Sequence, residues 1–347
     1  MKIPAKVQEI ISLINSLSIQ ERAILEDRLM HKTIDEPDEE KLIASARFKN
    51  GRVCPYCGGQ HVIKNGTQNG KARYRCEECR RYFSNRTNTV LAWSHMGLDV
   101  WNRFMECMLE KKTLGQSARI CGISKTTAFA WRHKILDSMR DNIHEGVLLG
   151  GVAEADETFV ALSYKGNHKK AKDFTMPRKR HKRGNDVHTR GLSCEQVCIT
   201  SAIDGCGKSV ACPTNTAKPR KEHITDFLSK HIKEGSTICT DKNRAYRQLI
   251  GQKKLHHVIF DSAKHEYSRG QYGIQRINNY HGGLKRFLNH FIGVSTKYLN
   301  NYLVWHNFVN YAKEAMGEKL RLLQELVMCG KNNTRGYSLS LRPPKPF

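Results

Sequence analysis

No run of roughly eighteen uninterrupted apolar residues occurs in the 347-residue chain, so no membrane-spanning helix is expected. No secretory signal is expected either. The start, "MKIPAKVQEIISLINSLSIQER", is helical and mixed in polarity, without an apolar core or a small-residue cleavage site. The compartment is therefore read as the reducing cytoplasm, and the twelve cysteines are not read as disulfides. No internal repeat is found. Acidic residues are scarce: 33 Asp and Glu stand against 58 Lys and Arg, a formal net charge of +25. A field of that sign disfavours basic partners and favours a polyanion, with nucleic acid the commonest choice.

The length allows two or more domains. Residues 1–32 read as a helical segment, with Ile10, Ile11, Ile14 and Leu17 at helical spacing. Ser18 and Glu21 form a capping-box pattern for a second short helix. Residues 33–50 are acidic, contain Pro37 and read as a linker. A cysteine-rich knuckle is expected over 51–90, a helical region over 95–142, and an α/β region over 150–315. Within the last, 164–190 is strongly basic and almost free of apolar residues, so it is expected to be a solvated loop or to order on a partner. Residues 330–347, polar and Pro-rich, are expected to be a disordered tail.

Cys54, Cys57, Cys76 and Cys79 form two C-x-x-C pairs. Four thiolates make a closed tetrahedral cage that suits structural zinc, and the pattern is that of a zinc ribbon. Gly58 and Gly59 permit the tight turn. Lys64, Lys71, Arg73, Arg75, Arg80 and Arg81 tilt the ribbon's role toward nucleic acid.

"QSARICGISKTTAFAWRHKIL", residues 116–136, reads as a helix-turn-helix. A helix ends at Cys121, Gly122 makes the turn, and Ser124 caps the next helix. Ile120, Ile123, Ala128, Trp131 and Ile135 would pack. Lys125, Thr126, Thr127, Arg132 and Lys134 would remain for DNA.

Two aspartates fall at strand positions in the third region: Asp156 in "LGGVAEADETFVAL" and Asp241 at the end of "STICTD". The expected order is three strands, helix, strand, helix, strand, helices. Buried acids need a partner or a metal. Paired aspartates suit magnesium, and two such ions can activate a water and stabilise a departing oxygen in phosphodiester chemistry. Glu157 would point to the opposite strand face and Glu266 lies in a polar stretch, so neither is assigned. From Ile277 onward the chain reads as a helix, with Asn278, His281 and Lys285 on one face.

The ribbon, the helix-turn-helix, "AEADETF", "TICTDKNRAY" and "GIQRINNYHGGLKRFLNHFIGVSTKYLNNYLVWHNF" together resemble bacterial insertion-sequence transposases of the ISXO type. The resemblance implies a multidomain architecture of zinc ribbon, helix-turn-helix and ribonuclease-H-like α/β catalytic domain with a mixed sheet. By position it implies a triad of Asp156, Asp241 and Asn278 holding magnesium or manganese. Asn278 stands where the commoner triad has Glu, and Asn offers only a neutral carbonyl oxygen. Lys285 would steer phosphate, and His281 would meet phosphate or a nucleophilic water.

The implied activity is recognition of an element's terminal inverted repeats, phosphodiester hydrolysis and strand transfer on double-stranded DNA. The implied setting is the nucleoid, in a homodimer or larger synaptic assembly. Arg178, Lys179, Arg180, Lys182 and Arg183 of the basic insertion would hold DNA. The alternative is a catalytically impaired or domesticated DNA-binding protein of the same fold.

Overall fold

The computed structural model describes residues 4–22, 25, 38–166, 174–177, 193–311, 316–345 and 347. The chain divides into two units, Met1–Asn85 and Arg86–Phe347. None of the described helices is long and apolar enough to cross a membrane.

In the first unit, α1 spans Ala5–Ser16. The Ser18–Glu21 capping box forms: the Ser18 N–H donates to Glu21 Oε2 (2.8 Å) and the Glu21 N–H to Ser18 Oγ (3.3 Å). The expected linker contains a helix, α2 (Glu39–Arg47), which corrects that expectation. Asp38 Oδ1 accepts the Glu40 N–H at 3.1 Å and so caps it. Ile43 is the buried anchor of α2, and Arg47 Nη1 donates to the Asn85 carbonyl at 2.8 Å.

The ribbon is an antiparallel sheet of β1 (Val62–Gln68), β2 (Lys71–Cys76) and β3 (Tyr82–Ser84). Its core is small: Val62, Tyr74 and Phe83 beside Cys54 and Cys76, with Phe48 and Ala72 packed against them.

The second unit begins with α3 (Leu98–Leu109), α4 (Leu114–Cys121) and α5 (Lys125–Asn142). Thr113 and Gln116 form a capping box at the start of α4. Gly122 ends α4 in the left-handed region at φ +64°, and Ser124 Oγ accepts the Thr127 N–H at 3.0 Å. This local design is the one read from the sequence.

The surroundings of α5 are not. From Trp131 to Met139 it is buried on every side, so solvent is met at its ends: the first turn, with Lys125 and Thr126 exposed and Thr127 half-buried, and the last residues, Asp141 and Asn142. Arg132, read from the sequence as a DNA contact, is fully buried instead. Its guanidinium donates to the Lys112 carbonyl at 2.7 Å and lies 4.7 Å from the centre of the Trp305 ring. Burial holds its pKa below the usual range. Lys134 is likewise buried, and its Nζ donates to the Ala92 carbonyl at 2.6 Å.

The sheet of this unit runs β6-β5-β4-β7-β8, with β4 Val152–Ala161, β5 Gln196–Asp204, β6 Ser209–Thr216, β7 Thr237–Asp241 and β8 His256–Phe260. The first three strands are antiparallel, and β7 and β8 join parallel to β4. The parallel links need crossovers, which α6 (Lys221–His231) and α7 (Arg247–Lys253) supply. One face of the sheet (Ala153, Ala155, Ala202, Val210 and Ile238) packs on Ile224 and Leu228 of α6, on Leu249 of α7, and on Tyr246 just before α7.

A two-residue hairpin, β9 (Ser268–Arg269) with β10 (Tyr272–Gly273), leads into α8 (Gln275–His290), which lies against β4 and β5. Helices α9 (Leu299–His306), α10 (Met316–Cys329) and α11 (Gly336–Ser340) follow.

The expected disordered tail is docked. Leu339 is buried, and Thr334 Oγ1 donates to Asp137 Oδ2 at 2.6 Å, where Arg342 also donates. A buried carboxylate on α5 needs such donors, and the tail supplies two of them. Of the basic insertion, Arg178, Lys179, Arg180, Lys182 and Arg183 lie outside the described residues.

Candidate active site

Strand alternation decides which β4 side chains share a face. Ala153 and Ala155 enter the α6–α7 core. Glu157 follows them: Tyr246 Oη donates to its Oε1 at 2.5 Å and Asn243 Nδ2 to its Oε2 at 3.2 Å. Glu154 and Asp156 face α8. The Ile277 N–H, in the first turn of α8, donates to Glu154 Oε2 at 3.0 Å, tying the helix to the strand.

The parallel pairing of β4 and β7 runs Val152 with Thr237, Ala153 with Ile238, and Glu154 with Cys239. Two residues further along each strand, alternation turns Asp241 to the same face as Asp156, and its charge reaches the Asp156 carboxyl.

On α8, His281 is buried and faces Asp156, with Nδ1 3.7 Å from Asp156 Oδ2. Its Nε2 is 2.7 Å from Ser201 Oγ on β5. Ser201 Oγ in turn donates to the Asp156 backbone carbonyl at 3.1 Å. Lys285, one turn on and exposed, is near enough to act electrostatically on both Asp156 and His281. Asn278 is exposed one turn before His281. Its backbone N–H donates to the Ile274 carbonyl, and its side chain has no described contact with either aspartate. Glu266 pairs with Arg269, away from this cluster.

The electrostatics are strained. Burial pushes the Asp156 carboxyl up to about 7; the Asp241 charge adds to this, while the Glu157 backbone N–H and Lys285 oppose it. Burial also raises Asp241, and burial with the charges of Asp156 and Asp241 raises Glu157 to about 7 against the Tyr246 hydrogen bond. Burial and Lys285 push His281 down to about 4, so its imidazole is neutral at pH 7. Asp241 Oδ1 is buried and meets no hydrogen-bond partner among the described residues. Two raised carboxylates and an orphaned carboxylate oxygen fit a divalent cation, which satisfies both and favours the charged form.

A pH dependence follows. The folded pKa of Asp156 lies above its ordinary 3.8, so its contribution to stability is present below about pH 4 and is lost as pH rises toward 7. Asp156→Asn is expected to raise the Tm of the metal-free protein by several degrees at pH 8 and to leave it unchanged at pH 4. Scanning calorimetry at the two pH values reads the difference. A cation must displace the same proton, so metal affinity is expected to climb about tenfold per pH unit below 7.

In the ribbon, the Cys54 and Cys79 sulfurs are 3.6 Å apart, and those of Cys57 and Cys76 3.7 Å. Sulfurs at tetrahedral corners about 2.3 Å from zinc stand about 3.8 Å apart, so the set fits. Among the described residues, these four form the group of three or more His, Cys, Asp or Glu side chains whose ligand atoms all lie within 4.8 Å of one another. The Asp156, Asp241 and His281 donors are spaced more widely than this.

Arg73 lies 3.9 Å over the Tyr82 ring and Arg81 5.2 Å over the Tyr56 ring, a basic and aromatic surface on the ribbon. Nothing in the sequence singles out Glu154, Ser201 or Tyr246 as functional. They sit in ordinary strand and turn contexts, and only tertiary structure gives them partners.

Fold and site define a class: a structural zinc ribbon carried on one chain with a mixed α/β unit that gathers carboxylates at the centre of its sheet. Residues 148–308 match the family model of the ISXO2-like transposase domain, and residues 35–82 that of the transposase zinc-ribbon domain. The two matches identify an ISXO2-like transposase domain and, N-terminal to it, a transposase zinc ribbon, and so support an ISXO-type transposase.

It is 25% identical over 276 residues to an uncharacterised protein in the transposable element ISH50 of Halobacterium salinarum, covering 78% of this chain and 89% of that protein. It is also similar to the solved pre-cleavage Mos1 transpososome, at 9% identity and a TM-score of 0.23, over 96% of this chain and 100% of that one. The Drosophila P element transposase strand transfer complex matches at 13% identity and a TM-score of 0.24, over 67% and 64%. At these scores the two solved structures carry no argument about geometry.

Proposed function

We propose that the protein is a DNA transposase that binds the inverted-repeat ends of its element and cuts and joins phosphodiesters with a divalent metal. The observation that carries this reading is the pair Asp156 and Asp241 on one sheet face, both raised by burial, beside a helix bearing His281 and Lys285. The strand order β6-β5-β4-β7-β8, three antiparallel and two parallel, supports a ribonuclease-H-like catalytic domain.

Asp156, Asp241 and Asn278 would hold magnesium or manganese, which when bound supplies activation of the attacking oxygen and stabilisation of the leaving one. Lys285 orients the scissile phosphate by its charge. Glu154 fixes α8, and with it these side chains, against β4. Partial burial of the aspartates reduces their screening by bulk water.

The ribbon's basic strands and the first turn of α5 supply DNA contacts. Lys125, Thr126 and Thr127 are the base-reading candidates of a helix-turn-helix whose second helix is core from Trp131 to Met139. Arg178, Lys179, Arg180, Lys182 and Arg183 would grip flanking or target DNA. Two ends must meet, so a homodimer or larger synaptic assembly is proposed, working in the cytoplasm at the nucleoid.

One observation favours a second reading, a DNA-binding protein that has lost cutting: Asn278 is neutral and exposed, with no described contact to the aspartates. Incubating the full chain with a labelled element end, a target plasmid and Mg2+ or Mn2+ separates the two. A nicked 3′ end joined to plasmid supports the transposase; tight binding with an intact duplex under both metals supports the second reading.

A further inference from the structure

Ser201 has one hydroxyl proton, and it has two neighbours. Its Oγ lies 3.1 Å from the Asp156 carbonyl, which can only accept, and 2.7 Å from His281 Nε2. When the carbonyl takes the proton, the hydroxyl oxygen is left to accept from the imidazole. His281 is thereby held as the tautomer with hydrogen on Nε2 and a bare lone pair on Nδ1.

That lone pair faces Asp156 Oδ2 at 3.7 Å. Only the acid proton of Asp156, or a cation in its place, can lie between two such acceptors, and no other described donor does. The gap has a size: two ligand atoms each about 2.1 Å from a shared ion stand about 3.0 Å apart at a right angle and about 3.6 Å apart at 120°. The orientation of the ring is fixed by Ser201 on β5, by the tie between Glu154 and the start of α8, and by nine-tenths burial of the side chain.

We infer that His281 Nδ1 is a direct ligand of the catalytic cation, shared with Asp156 Oδ2, and that Ser201 is the residue that orients it. The inference rests on the divalent-metal reading above and deepens it. A bare imidazole nitrogen binds without releasing a proton. It also changes the metal preference: imidazole nitrogen suits transition ions, whereas magnesium takes oxygen, so one nitrogen among carboxylates discriminates against magnesium. His281 therefore supplies the site with a donor stronger than the neutral amide of Asn278, and it marks the site as one for manganese-like ions.

The test is a Mn2+ titration of the full-length, zinc-loaded protein without DNA, followed by electron paramagnetic resonance. Wild type is expected to show hyperfine coupling from one directly bound nitrogen. His281→Gln is expected to lose that coupling and to weaken Mn2+ binding by about 10- to 100-fold, with a much smaller effect on Mg2+. Ser201→Ala, which keeps the imidazole but frees its tautomer, is expected to weaken Mn2+ binding by about tenfold. Circular dichroism confirms that each variant is folded, and Ser201→Ala carries the test if His281→Gln is not.

Mn2+ bound with no nitrogen coupling, and lost in Asp156→Asn but not in His281→Gln, overturns the inference and leaves the metal reading standing. Mn2+ bound no better by wild type than by Asp156→Asn overturns both.

Discussion

Replacing Asp156 or Asp241 with Ala is expected to lower strand cleavage at an element end by at least about a thousandfold while leaving binding of the same end within a few-fold of wild type. The magnitude follows from the several kcal/mol of charge stabilisation that a shared cation supplies, at about 1.4 kcal/mol per tenfold in rate. Binding is spared because the proposed DNA contacts lie on the ribbon and on the first turn of α5. Neither substitution should unfold the chain. Both aspartates are raised by burial, so removing either charge relieves a repulsion. Burst kinetics on a labelled duplex and a gel-shift titration, run on the same preparations, read both quantities. Equal loss of binding and cleavage would point to a structural role for the two carboxylates.

The second large effect is on the ribbon. Its apolar core consists of Val62, Tyr74 and Phe83 with a few neighbours, far too little to hold three short strands against chain entropy. Metal binding to four thiolates contributes about 10–16 kcal/mol in such small domains, so the cage and the fold are one event. Chelation of zinc, or Cys76→Ser, is therefore expected to unfold the ribbon while the Arg86–Phe347 unit, with its own core, keeps its cooperative melt. DNA affinity should fall with it. The slope of log affinity against log salt should flatten by about 0.9 for each phosphate that the unfolded ribbon no longer neutralises. Hydrogen exchange resolved by segment, before and after chelation, distinguishes local from global unfolding.

Much of this architecture is legible in local chemistry. The paired C-x-x-C motifs specify the cage. Gly122 and Ser124 specify the break between α4 and α5, because a left-handed residue and a side-chain cap are set by a few neighbouring residues. The order of strands and helices follows from apolar periodicity, and alternation along β4 separates Asp156 from Glu157.

What sequence could not show depends on distant partners. Helix α2 opens on two glutamates and has one buried anchor, Ile43, too little periodicity to announce itself. Arg132 looks like a surface residue until α9 brings Trp305 over it. The tail is polar and still docks, since its donors meet Asp137, nearly two hundred residues earlier. Ser201 sits in an unremarkable strand, and its importance appears only where β5 meets α8. A convergence of three elements at one imidazole ring leaves no local trace.

The most direct measurement is anomalous X-ray scattering from crystals of the full chain grown with Mn2+. The account predicts a manganese peak between the Asp156 and Asp241 carboxylates, in contact with Asp156 Oδ2 and on the α8 side of β4. No peak there at saturating Mn2+, with the two carboxylates still apart and unbridged, would contradict it.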